Sequence, residues 1–364
     1  MTGFTTGGTN SPFYTGKHFA ENHNVVVVTV NYRINIFGFP GDSNTTSNIG
    51  LRDARLAVEW VRDNIQQFGG DSSKITIVGQ SSGGVAVDYW TYSYKQDPII
   101  HAAITHSGNA LSFSAIPPDL AQNNWNSVTA AVGCVDQADV KGCMRKLPWK
   151  TIEDAASKIK PAPSGNVLRS IPPFYPVPDG ELVFSNYADL NTKGEFAPVP
   201  FLFGNNNNEA GFYRIPAYSR GIVPSQEQVD SFHLESFTCP VAKQVKSRYA
   251  HGIPSWSYRY LADWENTRLY NGSGAYHGVD LHMMFGASEE VSGLPDSHEQ
   301  QQLRNIMQRL WFSFMKDPQE GLLKMGWPSY SAQDLTLAEF GIENRALVTF
   351  VESSKYDSQC TQNP

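Results

Sequence analysis

The sequence has no long apolar run and no excess of basic residues. Its longest apolar stretches, such as Val25–Val30, are far shorter than the roughly 20 residues that a membrane-spanning helix needs. The formal charge of −7 provides no basic surface for phosphate groups, which argues against a nucleic-acid partner and favours a neutral substrate. The polar start Met1–Phe4 also lacks the charged and apolar segments of an export signal.

Cysteine is scarce as well, whereas apolar residues are plentiful. Four cysteines are too few for a disulfide scaffold, and none has metal-ligand spacing. Two sequons, beginning at Asn44 and Asn271, would be glycosylated only in a secretory pathway. With 40% apolar residues, a chain of 364 residues can bury a large core.

The first third of the chain carries the pattern of a parallel α/β sheet. Val25–Tyr32 is rich in β-branched residues without alternation, which predicts a strand buried on both faces. Apolar residues recur at helical spacing over Leu51–Gln67, and the short apolar strand Ile75–Val78 follows. Gly79–Gly84 then turns sharply into a helix that runs to about Tyr92. Strand, helix, strand, tight turn and helix together indicate an α/β fold.

The remaining elements are less regular in the sequence. Further segments are predicted as buried strands at Ala102–His106 and Val199–Phe203, as strands at the far edge at Trp256–Tyr260 and Ala346–Val351, and as an amphipathic helix at His298–Met315. We expect one domain over residues 1–364, with residues 112–198 as an irregular insertion.

The tight turn has the sequence of a nucleophile elbow. In Gly79-Gln80-Ser81-Ser82-Gly83, a serine occupies a strained strand-to-helix turn, and the glycines let neighbouring backbone pass without a side-chain clash. The motif is short, but the preceding strand and the following helix are the context that it requires. The alternative is an ordinary glycine-rich turn.

A serine hydroxyl is a weak nucleophile near pH 7 and needs a base that is oriented by an acid. The chain has nine histidines. The order nucleophile, acid, histidine, which is typical of hydrolases with such an elbow, excludes His18 and His23 and leaves the others open.

A longer pattern around the elbow is more specific. Phe68-Gly69-Gly70, then Ile75-Thr76-Ile77 and the elbow itself resemble the serine signature of the type-B carboxylesterase and lipase family, which includes cholinesterases. Blocks that agree with this resemblance occur over essentially the whole chain, at Asn31-Tyr32-Arg33, Gly38-Phe39, Asn48–Leu51, Asp53, Trp60, Asn64-Ile65, Ser107-Gly108, Pro176–Gly180 and Trp327-Pro328. The resemblance implies an α/β-hydrolase fold, with a mostly parallel central sheet flanked by helices. It also implies hydrolysis of a small carboxylic ester through an acyl-enzyme, with no metal or organic cofactor.

The same resemblance selects the two partners of Ser81. The family's acid is a glutamate in a glycine-bounded turn after a strand, which matches Glu209 in Asn208–Gly211. Its base lies in a His-Gly block followed by an apolar run that ends Phe-Gly, which matches His277 in His277–Gly286. Without the family pattern, a solvated carboxylate and a structural histidine would be the default interpretations.

Further roles follow from the resemblance. Ser82 is expected to donate its backbone N–H to the oxyanion, and Gly3, before Phe4, resembles the end of the glycine run that supplies the other donors. Ser107 is expected to hydrogen-bond Glu209. Gln80 replaces the acidic residue that commonly precedes the nucleophile.

Four cysteines and three histidines receive structural assignments. Cys134 and Cys143 match a disulfide loop of the family, and Cys239 and Cys360 remain as a possible second pair. His106, His282 and His298 lie in no matching block, so we interpret them as structural or surface residues.

The start of the chain suggests a truncated family member. In the family, the strand before the glycine run lies between those predicted at Val25–Tyr32 and Ile75–Val78, and this sequence begins after it. We therefore expect the first strands to be absent and the full-length form to be secreted. A catalytically impaired fragment and a non-catalytic cholinesterase-like binding protein are the alternatives. Acyl and alcohol specificity and the oligomeric state stay open.

Overall fold

The core of the protein is a twisted sheet whose strands follow one another with long helical connections. A computed structural model describes residues 4–44 and 46–361. The strands are β1 Thr76–Gln80, β2 Ala102–His106, β3 Ala162–Pro163, β4 Ser170–Ile171, β5 Phe201–Asn206, β6 Ser255–Tyr260, β7 Leu337–Phe340 and β8 Val348–Val351. The central sheet has the order β1-β2-β5-β6-β7-β8 and is parallel from β1 to β7, whereas β8 pairs antiparallel with β7. β3 and β4 form a separate hairpin.

Helices connect these strands. The α-helices of the described residues are α1 Lys17–Asn22, α2 Asn35–Gly38, α3 Ile49–Asn64, α4 Ser82–Ser93, α5 Pro118–Ala131, α6 Val140–Arg145, α7 Trp149–Ala156, α8 Tyr187–Thr192, α9 Ala210–Ser219, α10 Gln226–His233, α11 Cys239–Ala250, α12 Leu281–Phe285, α13 Ser288–Ser292, α14 His298–Lys316, α15 Gly321–Lys324 and α16 Ser354–Asp357. None of them is long and apolar enough to cross a membrane.

Both faces of the sheet are covered, because alternate residues of each central strand enter different cores. Ile104 of β2 and Leu202 of β5 pack with Trp311 of α14. The intervening Ala103 and Phe203 belong to a second cluster, which includes residues of α4 and α11. The α/β-hydrolase fold class expected from the sequence is therefore present.

The predicted elements agree with the structure more often in being a helix or a strand than in their first and last residues. The helix expected at Leu51–Gln67 is α3, which stops at Asn64 and continues as a 3₁₀ turn over Ile65–Phe68. Strand β7 was not predicted, since its four residues include the charged Glu339 and form no apolar run. It lies between β6 and β8, so the predicted far edge at Ala346–Val351 is β8.

The strand predicted at Val25–Tyr32 is wrong. No strand is assigned there, and the side chains of Val26, Val28 and Val30 are 45%, 44% and 38% exposed. A β-branched segment becomes a strand only when another backbone lies beside it. In the described residues β1 pairs with β2 alone and forms the edge of the sheet, so this segment has no partner there.

Residues 112–198 are more regular than their sequence suggests, because they include helices α5 to α8. The disulfide between Cys134 and Cys143 joins the end of α5 to α6. A second disulfide links Cys239 at the start of α11 to Cys360, across 121 residues. Both expected cysteine pairs are thus formed.

A buried ion pair stabilises the packing of α4 against α11. Arg248 and Asp88 are fully buried, and one guanidinium nitrogen lies 2.8 Å from the carboxylate. Asp88 also accepts hydrogen bonds from the Gln244 side chain and the Ala110 N–H. Burial raises the pKa of Asp88, and the charge of Arg248 opposes that shift.

Replacing Arg248→Met should therefore destabilise the protein by about 3–5 kcal/mol near pH 7, because a buried carboxylate loses its counter-charge. Urea unfolding followed by tryptophan fluorescence measures the change. Arg62→Met removes an exposed ion pair with Asp63 and should leave the unfolding midpoint unchanged. Equal midpoints for the two variants would contradict a stabilising role of the Arg248–Asp88 pair.

Candidate active site

Ser81 lies on a strained turn between β1 and α4. Its φ of 57° and ψ of −123° are rarely adopted by residues other than glycine. The Ser81 N–H donates to the His106 carbonyl at 2.8 Å, and its carbonyl accepts from Val85 at 2.9 Å. A Cβ on Gly108 would lie 2.2 Å from the Ser81 carbonyl oxygen, so only glycine allows this approach. The turn has the geometry that the elbow sequence predicts.

Three neighbouring parallel strands deliver polar residues to the same edge of the sheet. Ser81 follows β1, Ser107 follows β2, and Glu209 follows β5. Because the carboxyl ends of parallel strands meet at one edge, residues far apart in sequence come together there.

Glu209 and His277 form a short, buried contact. The Nδ1 atom of His277 lies 2.6 Å from Oε2 of Glu209, and the two residues are 8% and 0% exposed. Glu209 Oε1 accepts from the Ser107 hydroxyl at 2.7 Å and from the Asn206 N–H at 2.6 Å. These bonds fix the orientation of the carboxylate, and the carboxylate fixes the tautomer of the imidazole with its proton on Nδ1.

The opposite ring nitrogen of His277 faces the nucleophile turn. Its Nε2 lies 3.1 Å from the Gln80 side-chain nitrogen and 3.3 Å from the Tyr213 hydroxyl. Burial raises the pKa of the Tyr213 phenol, and a smaller interaction with the Ser81 side chain lowers it. Among the described residues, no direct hydrogen bond joins Ser81 to His277.

One of the two expected oxyanion donors can be placed. Ser82 is buried and is the first residue of α4, where backbone N–H groups have no partner inside the helix. Gly3 lies outside the described residues. Its neighbour Phe4 is fully buried between Phe39 and Tyr175, with ring centroids 5.2 and 5.1 Å away.

A second buried polar network supports the loop that carries His277. Asp280 accepts from the Tyr258 hydroxyl at 2.7 Å and from the Asn206 side chain at 3.0 Å, and His106 Nδ1 lies 2.7 Å away. The indole N–H of Trp311 donates to the other ring nitrogen of His106. Burial raises the pKa of Asp280, but its interactions with His106 and these donors outweigh burial and lower that pKa.

The three histidines assigned structural or surface roles occupy different environments. His106 is fully buried in the Asp280 network, and His298 is exposed at the start of α14. Burial lowers the pKa of His282 to about 4, so its ring is neutral near pH 7. None of these three imidazole rings makes a hydrogen bond to Ser81 or Glu209 in the described residues.

Asn206 and Asp280 were missed as positioning residues by the sequence analysis. Asp280 lies three residues after His277 in the same block, which was a usable signal. Asn206 is one of four consecutive asparagines, so nothing in the sequence distinguishes it from its neighbours. Tyr213 is likewise assigned no role by the sequence analysis. Groups of three or more metal-ligating side chains are absent from the described residues.

The fold and this arrangement define a class of protein, the α/β hydrolases with a nucleophile elbow at the carboxyl edge of the sheet. Comparison with known proteins identifies the family. The model of the carboxylesterase family matches residues 2–236 and 224–359. The chain therefore belongs to the carboxylesterase family, and it is a hydrolase that acts on carboxylic esters.

Curated relatives match three quarters of the chain or more. A secreted lipase 5 from Gibberella zeae is 32% identical over 384 residues, which cover 99% of this chain and 70% of the relative. A chlorogenic acid esterase from Aspergillus niger is 30% identical, with 98% and 71% covered. Cholinesterase 1 from Branchiostoma lanceolatum is 32% identical over 76% of this chain and 91% of its own length.

A solved structure supports the fold. A PNB esterase superimposes with a TM-score of 0.79 over 99% of this chain and 77% of its own chain, at 22% identity. The likeness shows the α/β-hydrolase architecture.

Asp280→Asn should lower kcat for p-nitrophenyl acetate by about 10-fold with little change in KM. An amide cannot accept hydrogen bonds from all of the donors around it, and an unpaired buried donor costs about 1–3 kcal/mol. We expect the loop that carries His277 to shift and so relieve part of this cost. Steady-state kinetics and urea unfolding measure both effects.

The matched control is Asp296→Asn, which disrupts another buried carboxylate, bonded to Arg304 and Ser288. It should lose stability without a selective fall in kcat. If both variants lose stability alike and both keep kcat, Asp280 does not position the site.

Proposed function

We propose that the chain cleaves carboxylic esters through an acyl-enzyme on Ser81, with His277 as base and Glu209 as the orienting acid. The observation that carries this proposal is the 2.6 Å contact between buried Glu209 and His277, beside a serine on a strained elbow. An acid, a histidine and a nucleophile in this order and setting are suited to acyl transfer.

The proposed steps use each of these groups in turn. Ser81 Oγ attacks the ester carbonyl carbon while its proton passes to Nε2 of His277. The Nδ1–H bond to Glu209 stabilises the imidazolium, and the Ser82 N–H faces the negative oxygen of the tetrahedral intermediate. The C–O bond then breaks, and the alcohol leaves with the proton from His277. Water attacks the acyl-enzyme by the same route and releases the acid.

Aromatic side chains around the base suggest the kind of substrate. The rings of Tyr213, Phe237 and Phe212 lie 5.0, 5.2 and 6.1 Å from the His277 ring. Such a wall favours neutral esters with an apolar group over charged ones. The name of one relative, a secreted lipase, agrees with esters of this general kind.

We also propose that the protein passes through a secretory pathway. Disulfides persist mainly in oxidising compartments, and this chain has two. The sequon residues Asn44 and Asn271 are exposed and accessible to glycosylation. Several relatives are named secreted lipases.

Ser81→Ala should abolish labelling by a fluorophosphonate probe and lower kcat for p-nitrophenyl esters by at least about 10⁴-fold, because the nucleophile is lost. Intact-mass and peptide mass spectrometry locate the adduct. Ser127→Ala, which changes an exposed serine of α5, should label and turn over like the unchanged chain. Labelling of folded Ser81→Ala, or turnover that survives in it, would refute the assignment of the nucleophile.

A further inference from the structure

The Tyr213 hydroxyl contacts the proposed base at the ring nitrogen that must accept the proton of the proposed nucleophile. It lies 3.3 Å from Nε2 of His277. The ring packs against Phe232 and Phe237, with centroids 4.8 and 6.1 Å away. One phenol therefore hydrogen-bonds the atom that must receive the Ser81 proton.

The hydrogen-bond directions follow from the inventory of donors and acceptors. A carboxylate only accepts, so His277 donates from Nδ1 to Glu209 and offers a lone pair at Nε2. Burial raises the pKa of the Tyr213 phenol, so the hydroxyl keeps its proton near pH 7. Tyr213 thus donates to Nε2, and the Gln80 amide is a second donor there. The lone pair that should receive the Ser81 proton is already occupied.

Of these groups, Tyr213 is the one best able to move. Ser81 is fixed by its strained turn and two backbone hydrogen bonds, and Glu209 holds His277 inside the fold. Tyr213 belongs to α9, a short helix that contains Pro216. On this helix Ile215 and Tyr218 are 42% and 50% exposed, so few contacts hold its outer side.

We propose that the Tyr213 hydroxyl caps the base in the free enzyme and that catalysis requires an ester substrate to displace it. The proposal rests on the proposed function of Ser81 and His277. When the Tyr213 side chain moves away, Nε2 of His277 becomes free to accept a proton from Ser81. The space that it vacates beside Phe232 and Phe237 accommodates an apolar group of the ester. Tyr213 is then a residue that controls reactivity through its hydrogen bond to His277.

Tyr213→Phe tests the cap, because it keeps the ring and its packing and removes the oxygen. We expect Ser81 to react about 5- to 10-fold faster with a small, neutral fluorophosphonate, since one hydrogen bond to the base no longer has to be broken. The value of kcat/KM for p-nitrophenyl acetate should rise by a similar factor. Tyr218→Phe removes a hydroxyl from the same helix without touching Ser81 or His277 and should react at the original rate.

Other outcomes overturn the proposal. An unchanged rate in Tyr213→Phe means that the hydroxyl imposes no barrier, and a large fall means that it relays the proton or orients a reacting group. A rise in Tyr213→Ala but not in Tyr213→Phe assigns the barrier to the ring. Urea unfolding verifies that each variant is folded. If none of the folded variants is labelled at Ser81, the proposed function itself fails. Labelling of Tyr213→Phe at an unchanged rate contradicts the cap alone.

Discussion

The left-handed backbone of Ser81 is the constraint on which the site depends. A non-glycine residue in such a conformation costs about 1–3 kcal/mol and persists only when its surroundings impose it. Here β1 enters the turn paired along its length with β2, and α4 leaves it at once. Gly108 lets the end of β2 approach the Ser81 carbonyl closely. The direction of the serine hydroxyl is therefore set by the packing of the sheet and the helix rather than by the turn alone.

Asn206 connects the proposed acid to the loop of the proposed base. Its backbone N–H donates to Glu209, and its side chain donates to Asp280 and to the Tyr276 carbonyl. Asp280 lies three residues beyond His277, directly before α12, and is bonded to β6 through Tyr258. Buried polar groups are costly when unpaired, so these bonds allow few alternative arrangements, although the side-chain oxygen of Asn206 has no hydrogen-bond partner among the described residues. The hydrogen bonds of Asn206 and Asp280 together thus define the distance between the proposed acid and the proposed base.

Local sequence was sufficient to predict a structural feature that depends on a single helix, strand or turn. The elbow, the strand Ala102–His106 and the helix that begins at His298 were predicted from periodicity and glycine placement. Glu209 and His277 required the family pattern, because no local property distinguishes them from other loop carboxylates and histidines. The role of Tyr213 could not be predicted, since it depends on how α9 folds back toward β1, more than 130 residues away in sequence. Residues that act through such contacts leave no periodic signal.

The strand prediction at Val25–Tyr32 failed for the same reason, because strand pairing depends on a backbone far away in sequence. Val25 and Val27 pack against the core, while Val26, Val28 and Val30 face outward. From Val25 to Val28 the alternation is that of a strand, but no neighbouring backbone completes the hydrogen bonds in the described residues. Within the same residues β1, which leads to the proposed nucleophile, is bonded to a strand on one side only. Unpaired extended edges with apolar side chains readily add another strand. The turn that holds Ser81 is therefore anchored on one side by β2 and α4, and on the other it adjoins an edge of the sheet that has no neighbouring strand in the described residues.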